Sequence, residues 1–286
     1  MKNSILGISR ASQFSPNSQD RDAAIFAAVT SRLERMGHKV DILSEDLVPI
    51  TDLTDYDLVF SMARGRNVLA ILSTAEKNGL TVINSPTRLL LLSRDKIIEL
   101  LDANNIPLPK IFLYRTSSIN FDDSNALSFP FWMKRIDACA QQRGDVILVH
   151  NTKEYKQAVE NFRQKGVSQF IAEEHIEGDL VKFYGVEGTP FFNYTYPTIK
   201  TGFSKFGLED ANGAPSHYAF DVNAFKETMD KAALATGVTV YGGDAVIKEN
   251  GQFCIIDFND WPSFASCRRD AAKHIAYRIS HYKEED

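Results

Sequence analysis

The sequence predicts an α/β fold, and three observations carry that expectation. Over the first 86 residues, short apolar runs alternate with helical patterns, as in a small open parallel sheet. The remainder mixes strand-like runs with longer helical patterns and includes an Asn-Gly pair at 250–251 between two β-rich runs, the strongest short hairpin signal. The 286 residues are 44% hydrophobic and 24% charged, which excludes disordered, collagenous and disulfide-scaffold chains.

The elements follow in order. Residues 4–9 read as a strand, and Ser18 is an N-cap candidate for a helix through Met36, closed by Gly37. Residues 40–43 and 57–61 read as strands, 67–77 as a helix stopped by Gly79, and 81–83 as a fourth strand. Ligands of such sheets sit beyond the carboxyl ends of the strands, here Ser9-Arg10 and residues 61–66. One helix is expected across 87–101, ended by Asn104-Asn105, Pro107 and Pro109. Strands at 111–114, 129–135 and 146–150 precede a helix over 152–165, and strands at 170–174, 181–186 and 191–196 follow it. The polar stretch 200–217 is expected to act as a lid or substrate loop, because structureless stretches of that length tend to be functional. A helix over 223–236, the hairpin over 241–260 and a helix over 266–281 complete the chain.

The formal charge is −5, with 32 Lys+Arg against 37 Asp+Glu. No basic excess points to nucleic acid, and the scattered basic residues make no polybasic membrane patch, although a local anion site stays open. The cysteines, Cys139, Cys254 and Cys267, form no CxxC, so a reduced, cytoplasmic compartment is expected. The apolar run at 5–8 is too short for a signal segment, and no run approaches the ~20 residues of a membrane span.

The hairpin carries the chemistry. A two-residue turn at Asn250-Gly251 makes Glu249 face Gln252 and, counting back, sets Asp244 opposite Asp257 with Asn259 on the same face. Facing Cβ atoms lie about 5 Å apart, so two carboxylates there repel unless a divalent cation takes both. Oxygen-only donors favour Mg²⁺ or Mn²⁺ over zinc. A slipped or bulged register would separate the two aspartates, and Cys254 is expected on the face opposite Asp257.

With these residues in place, the chain resembles the ATP-grasp superfamily over nearly its whole length. Asp257-Phe258-Asn259 with Pro262 resembles that family's Asp/Glu-x-Asn-x-x-Pro metal strand, and Asp244 its first metal ligand. Asp95-Lys96 resembles the Asp-Lys that opens the ATP region, Lys134 the second nucleotide lysine, residues 170–178 the hinge strand, and residues 179–182 the ribose and phosphate segment. The resemblance implies an ATP-grasp fold: an N-terminal open parallel-sheet domain (1–86), a small lobe with a linking helix (87–175) and a C-terminal lobe with the metal hairpin (176–286), the two α+β lobes clasping ATP. It implies Lys96, Lys134 and Lys182 on the phosphates, Glu173 and the amide of Ile176 on adenine, and Asp179 on the ribose. Asp244, Asp257 and Asn259 would hold Mg²⁺ or Mn²⁺. Many members carry a Gly/Ser-rich phosphate loop where residues 137–145 here offer only Gly144.

Members mostly join a carboxylate to an amine or thiol through an acyl phosphate. Some phosphorylate a hydroxyl, as inositol phosphate kinases do, and a few bind ATP with no assigned chemistry. The expectation is a ligase acting on a small, anionic metabolite, with a small-molecule kinase and a non-catalytic ATP-binding protein as alternatives. Substrate-side candidates are Ser9-Arg10, residues 15–17, Arg64, Arg66 and residues 263–269, where Arg268 joins Lys182 as a catalytic candidate. Arg268 and Arg269 read equally well as the exposed first turn of the last helix, and His175 as a packed or exposed strand residue.

Overall fold

The computed structural model describes residues 4–119, 127–136, 144–197 and 209–282. Cys139, residues 137–143 of the Gly-poor segment and residues 200–208 of the expected lid loop lie outside them.

Strands β1 (Ser4–Ser9), β2 (Lys39–Ser44), β3 (Leu58–Ser61) and β4 (Thr81–Ile83) form a parallel sheet in the order β2-β1-β3-β4. Helix α1 (Gln19–Arg35) buries Ile25, Phe26, Val29 and Leu33, a stripe at helical spacing. Helix α2 (Arg66–Lys77) buries Val68 and Leu72 with Leu6, Ile8 and Val59 on the sheet's other face. Gly7 lets the faces close: a Cβ there would stand 2.6 Å from the Phe60 ring and 2.9 Å from that of Phe26.

The helix expected across 87–101 is two helices, α3 (Pro86–Leu91) and α4 (Arg94–Ala103). Ser93 is extended (φ −88°, ψ 166°), so the chain restarts there and Arg94 becomes the first residue of α4. Leu101 and Ile106 pack with Phe225, Met229 and Ala232, so this stretch, grouped by sequence with the small lobe, rests on the C-terminal core.

The small lobe is an antiparallel sheet of β5 (Ile111–Arg115), β6 (Phe131–Arg135), β7 (Val146–Val149) and β8 (Gln169–Glu174), in the order β5-β8-β6-β7. Phe131, Met133, Phe170 and Ala172 alternate into a core with Tyr155, Val159 and Phe162 of α5 (Thr152–Gln164). The opposite face therefore carries Trp132, Lys134, Ile171 and Glu173, paired Trp132 to Glu173 and Lys134 to Ile171.

The last sheet runs β10-β9-β11-β12, from β9 (Asp179–Val186), β10 (Phe192–Thr195), β11 (Val240–Ile247) and β12 (Phe253–Asp260). Helix α6 (Val222–Thr236) backs it, ending on Gly237 at φ +73°. Helix α7 (Arg268–Ser280) returns to α1, where Ala271, Ala272 and Ile275 share one core with Ile25, Val29 and Leu33. The Asn84 amide pairs with both backbone groups of Val240 (2.9 and 2.7 Å), tying the end of the parallel sheet to β11. Among the described residues no helix is long and apolar enough to cross a membrane.

The hairpin reaches the expected pairing by another route. Lys248 and Gln252 pair at its base and the Gly251 amide donates to the Lys248 carbonyl, so the turn holds three residues, with Gly251 at φ +80°. That shifts the register by one: Ala245 faces Ile255 and Val246 faces Cys254. Continued, it would put Asp244 opposite Ile256. A bulge that leaves Ile256 unpaired restores the frame, and Asp244 faces Asp257. The same bulge corrects the expectation for Cys254. Its partner Val246 is two residues from Asp244, so Cys254 shares the face of Asp257. It is buried there, and burial pushes its thiol up to about 12.

Candidate functional site

A row of charge crosses three adjacent strands. Lys182 of β9 pairs with Asp244 of β11, which pairs with Asp257 of β12. The Lys182 ammonium donates to Asp244 Oδ1 at 3.0 Å. Asp257 Oδ1 accepts from Arg94 Nη1 at 3.0 Å and its Oδ2 from Asn259 Nδ2 at 2.7 Å. Burial pushes Asp257 up, but Arg94, Lys134 and the Asn259 hydrogen bond outweigh it and hold its carboxyl below the usual range. Among the described residues no group of three or more His, Cys, Asp or Glu converges. The donor set is two carboxylates and one amide oxygen, since Asn259 spends its NH₂ on Asp257. Such donors suit a hard, oxygen-seeking divalent ion and do not suit zinc.

The small lobe faces this row. The Lys134 ammonium donates to Glu173 Oε1 (2.6 Å) and, across the cleft, to the carbonyl of the bulged Ile256 (2.9 Å). Glu173 is buried, and desolvation raises its carboxyl despite that lysine. Between the lobes an apolar slot, lined by Ile97, Ile98, Leu108, Ile171, Ile255 and Phe258, opens onto Arg94, Glu173, Asp257 and Asn259.

At the hinge, the Ile176 carbonyl accepts from Asn212 Nδ2 at 2.8 Å, and its amide has no acceptor among the described residues. Asp179 is spent differently from the expectation: its carboxylate accepts the backbone amides of Ser216 (2.6 Å) and Tyr218 (2.8 Å) and anchors that segment. His175 accepts the Trp132 indole N–H at 3.1 Å.

Other expected residues are not brought to the row. Lys96 lies on the outer face of α4, about half exposed, paired with Glu99 at 2.6 Å. One helix in place of two halves would have hidden this. The restart at Ser93 turns Arg94 inward and Lys96 outward. Arg10 is buried, donating to the Met62 carbonyl, Asp22 and the Trp261 carbonyl. Arg64 grips Asp260 through side chain and backbone, and Arg66 is exposed. Arg268 begins α7 half-buried, and its Nε is buried with no partner among the described residues, while Arg269 is exposed.

Four residues escaped the sequence reading. Arg94 was hidden beside the Asp-Lys motif. Glu45 accepts the amides of Ala11, Arg64 and Gly65, fixing the loops at the carboxyl ends of β1 and β3. Arg21 and Tyr184 line a polar pocket with Asn17, Ser18, Lys182, Gly242, Gly243, Asp244 and Asn259, so this second cavity shares the row with the apolar slot. Burial pushes the Tyr184 phenol up to about 12, so it stays a donor. No single residue among the four carried a motif. Only the topology gathers them.

No protein-family model matches the chain, and no curated protein matches it in sequence. Solved structures do. D-alanine–D-alanine ligase from Bacillus anthracis in complex with ATP is 15% identical, covering 100% of both chains, with a TM-score of 0.65. A RimK domain ATP-grasp protein from Sphaerobacter thermophilus is 15% identical over 96% of this chain and 99% of its own, with a TM-score of 0.69. The ATP-grasp ligase PsnB, in complex with precursor peptide PsnA2 and AMPPNP, is 14% identical over 99% of both chains, with a TM-score of 0.64. Three sheets in this order and a shape shared over 96–100% of the chain lead to one conclusion: the chain has the ATP-grasp fold.

Proposed function

We propose that the chain is an ATP- and Mg²⁺-dependent ligase that activates the carboxylate of a small anionic metabolite as an acyl phosphate and passes it to an amine or thiol. The observation that carries this reading is the row of Lys182, Asp244 and Asp257, with Asn259, standing between an apolar slot and a polar pocket. A nucleotide in the slot and a carboxylate in the pocket would meet at those acids. The likeness in shape to ligases, one of them holding ATP, supports it.

Asp244, Asp257 and Asn259 would hold Mg²⁺ or Mn²⁺, which would supply positive charge to offset the charge that develops in the transition state. Glu173 and the Ile176 amide offer an acceptor and a donor to the adenine edge, and Lys134 and Lys182 offer charge to the phosphates. Asp179 acts on the ribose side by holding residues 216–218 in place. Arg21 and Lys182 on the pocket wall favour an anionic substrate. A substrate carboxylate oxygen attacks the γ-phosphorus as the bond to ADP breaks. The amine or thiol then attacks the acyl carbon, phosphate leaves, and the nucleophile's proton passes to solvent. Positioning and charge do most of this work. Two free cysteines, Cys254 and Cys267, accord with a cytoplasmic setting.

The test is purified protein with ATP, Mg²⁺ and a metabolite pool, read by mass spectrometry. Condensed product with ADP and phosphate supports the ligase. A product heavier by one phosphoryl group makes the chain a kinase, and bound ATP without ADP from any pool leaves only a binding module.

A further inference from the structure

Each aspartate of the facing pair carries a cation supplied by this chain: Lys182 on Asp244 and Arg94 on Asp257, both at 3.0 Å. The two cations differ in origin. Lys182 sits on the neighbouring strand of the same sheet, whereas Arg94 reaches in from the start of α4, 163 positions away in sequence. Its side chain is 15% exposed and that of Asp257 31%, so the acid is reachable from the cleft while the guanidinium covers one of its oxygens. The other oxygen is held by Asn259. Arg94 and Lys182 compete with a divalent ion for this pair: each neutralises one acid and occupies part of one of its oxygens. Arg94 also borders the apolar slot beside Glu173, where a displaced guanidinium would find the phosphates of a bound nucleotide.

We propose that Arg94 is an exchangeable counter-ion: it neutralises Asp257 while the cleft holds no nucleotide, yields that oxygen to the divalent cation, and turns its planar fork to the triphosphate. This rests on the reading above that metal and nucleotide meet at the row. A guanidinium suits the exchange because it can bind a carboxylate or a phosphate through two parallel hydrogen bonds. Metal alone then binds weakly, since it must expel Arg94 with no anion to receive it. Metal and nucleotide together bind well, since the expelled cation gains a partner. Lys96, two residues on and turned to Glu99, has no part in the exchange.

The experiment uses the full chain and counts free Mn²⁺ by electron paramagnetic resonance, first without nucleotide. Arg94→Gln should tighten Mn²⁺ binding about tenfold, equivalent to about 1.4 kcal/mol of lost competition. In calorimetry with Mn²⁺ and AMPPNP present, the same variant should bind the nucleotide about tenfold more weakly. Lys96→Gln should change neither value by more than about twofold, the scale of an exposed charge. Arg94→Lys, which keeps the charge without the fork, should fall between wild type and Arg94→Gln in both measurements, and it serves as the test if the glutamine variant does not fold. Mn²⁺ binding to Arg94→Gln that is equal to or weaker than wild type overturns the proposal, as does loss of nucleotide binding in Lys96→Gln alone. If the wild type binds both ligands and Arg94→Gln matches it, only the role of Arg94 falls. If the wild type binds neither, the functional reading falls as well.

Discussion

Arg10 and Arg64 at the carboxyl end of the parallel sheet, and Arg94, Lys134 and Lys182 at the cleft, all lie near the same short segment, 256–261. Arg10 is 7% exposed and uses three nitrogens on two backbone carbonyls and Asp22, and Arg64 holds both side chain and backbone of Asp260. These arginines act as struts that fix the end of β12 against the N-terminal domain. The cleft cations rest mainly on carboxylates, Asp257, Glu173 and Asp244. A backbone carbonyl cannot leave, but a carboxylate can be claimed by a metal. The kind of partner, more than nearness to a cavity, separates a strut from a cation poised to exchange.

The largest expected effect would break the cleft side of this contrast. Asp257→Asn should lower Mg²⁺-dependent ADP release by about 1,000-fold or more, about 4 kcal/mol of barrier, with an unchanged circular dichroism spectrum. Wild-type turnover in that variant would refute the site. On the strut side, Arg10→Ala takes the cation from buried Asp22, leaving it the Ser15 hydroxyl, and should cost about 3 kcal/mol of stability in urea unfolding, with Mn²⁺ affinity of the folded protein unaltered. A large change in metal affinity would mean that Arg10 is no mere strut. Glu45→Gln keeps the shape but loses a charge that three backbone amides address, and about 1–2 kcal/mol in the same assay is expected. The smallest effect concerns His175. Its Nδ1 accepts the Trp132 indole, so that nitrogen is unprotonated, and burial lowers its pKa. The folded state thus favours neutral imidazole: the contribution is present above the ordinary value of about 6.5 and is lost as pH falls below it. Stability should therefore fall as pH drops from about 7 to 5, and His175→Gln should remove that slope.

Much of this architecture was legible in the sequence because its signals are local. Gly37, Gly79 and Gly237 each fall where a helix closes, and the strands at 4–9 and 81–83 need only apolar runs and turn residues. The facing aspartates were legible as well, though by a turn one residue too short and a strand without its bulge, two departures that cancel. Arg94 was not legible, because it depends on which way a helix starts at Ser93, and that is decided by packing of Leu101 and Ile106 on a core more than 100 positions downstream. The fates of Arg10 and Arg64 were hidden for the same reason: their partners Trp261 and Asp260 lie 251 and 196 residues away.

Two parts of the hairpin take no part in its pairing, residues 249–251 between Lys248 and Gln252 and the bulged Ile256. Deleting Ile256 would leave Ala245 on Ile255 and Asp244 on Asp257, and losing one residue of 249–251 while Lys248 and Gln252 stay paired would leave every pair as it is. Length can therefore change at these two places without parting the acids, as slack in a rope leaves its knot tied.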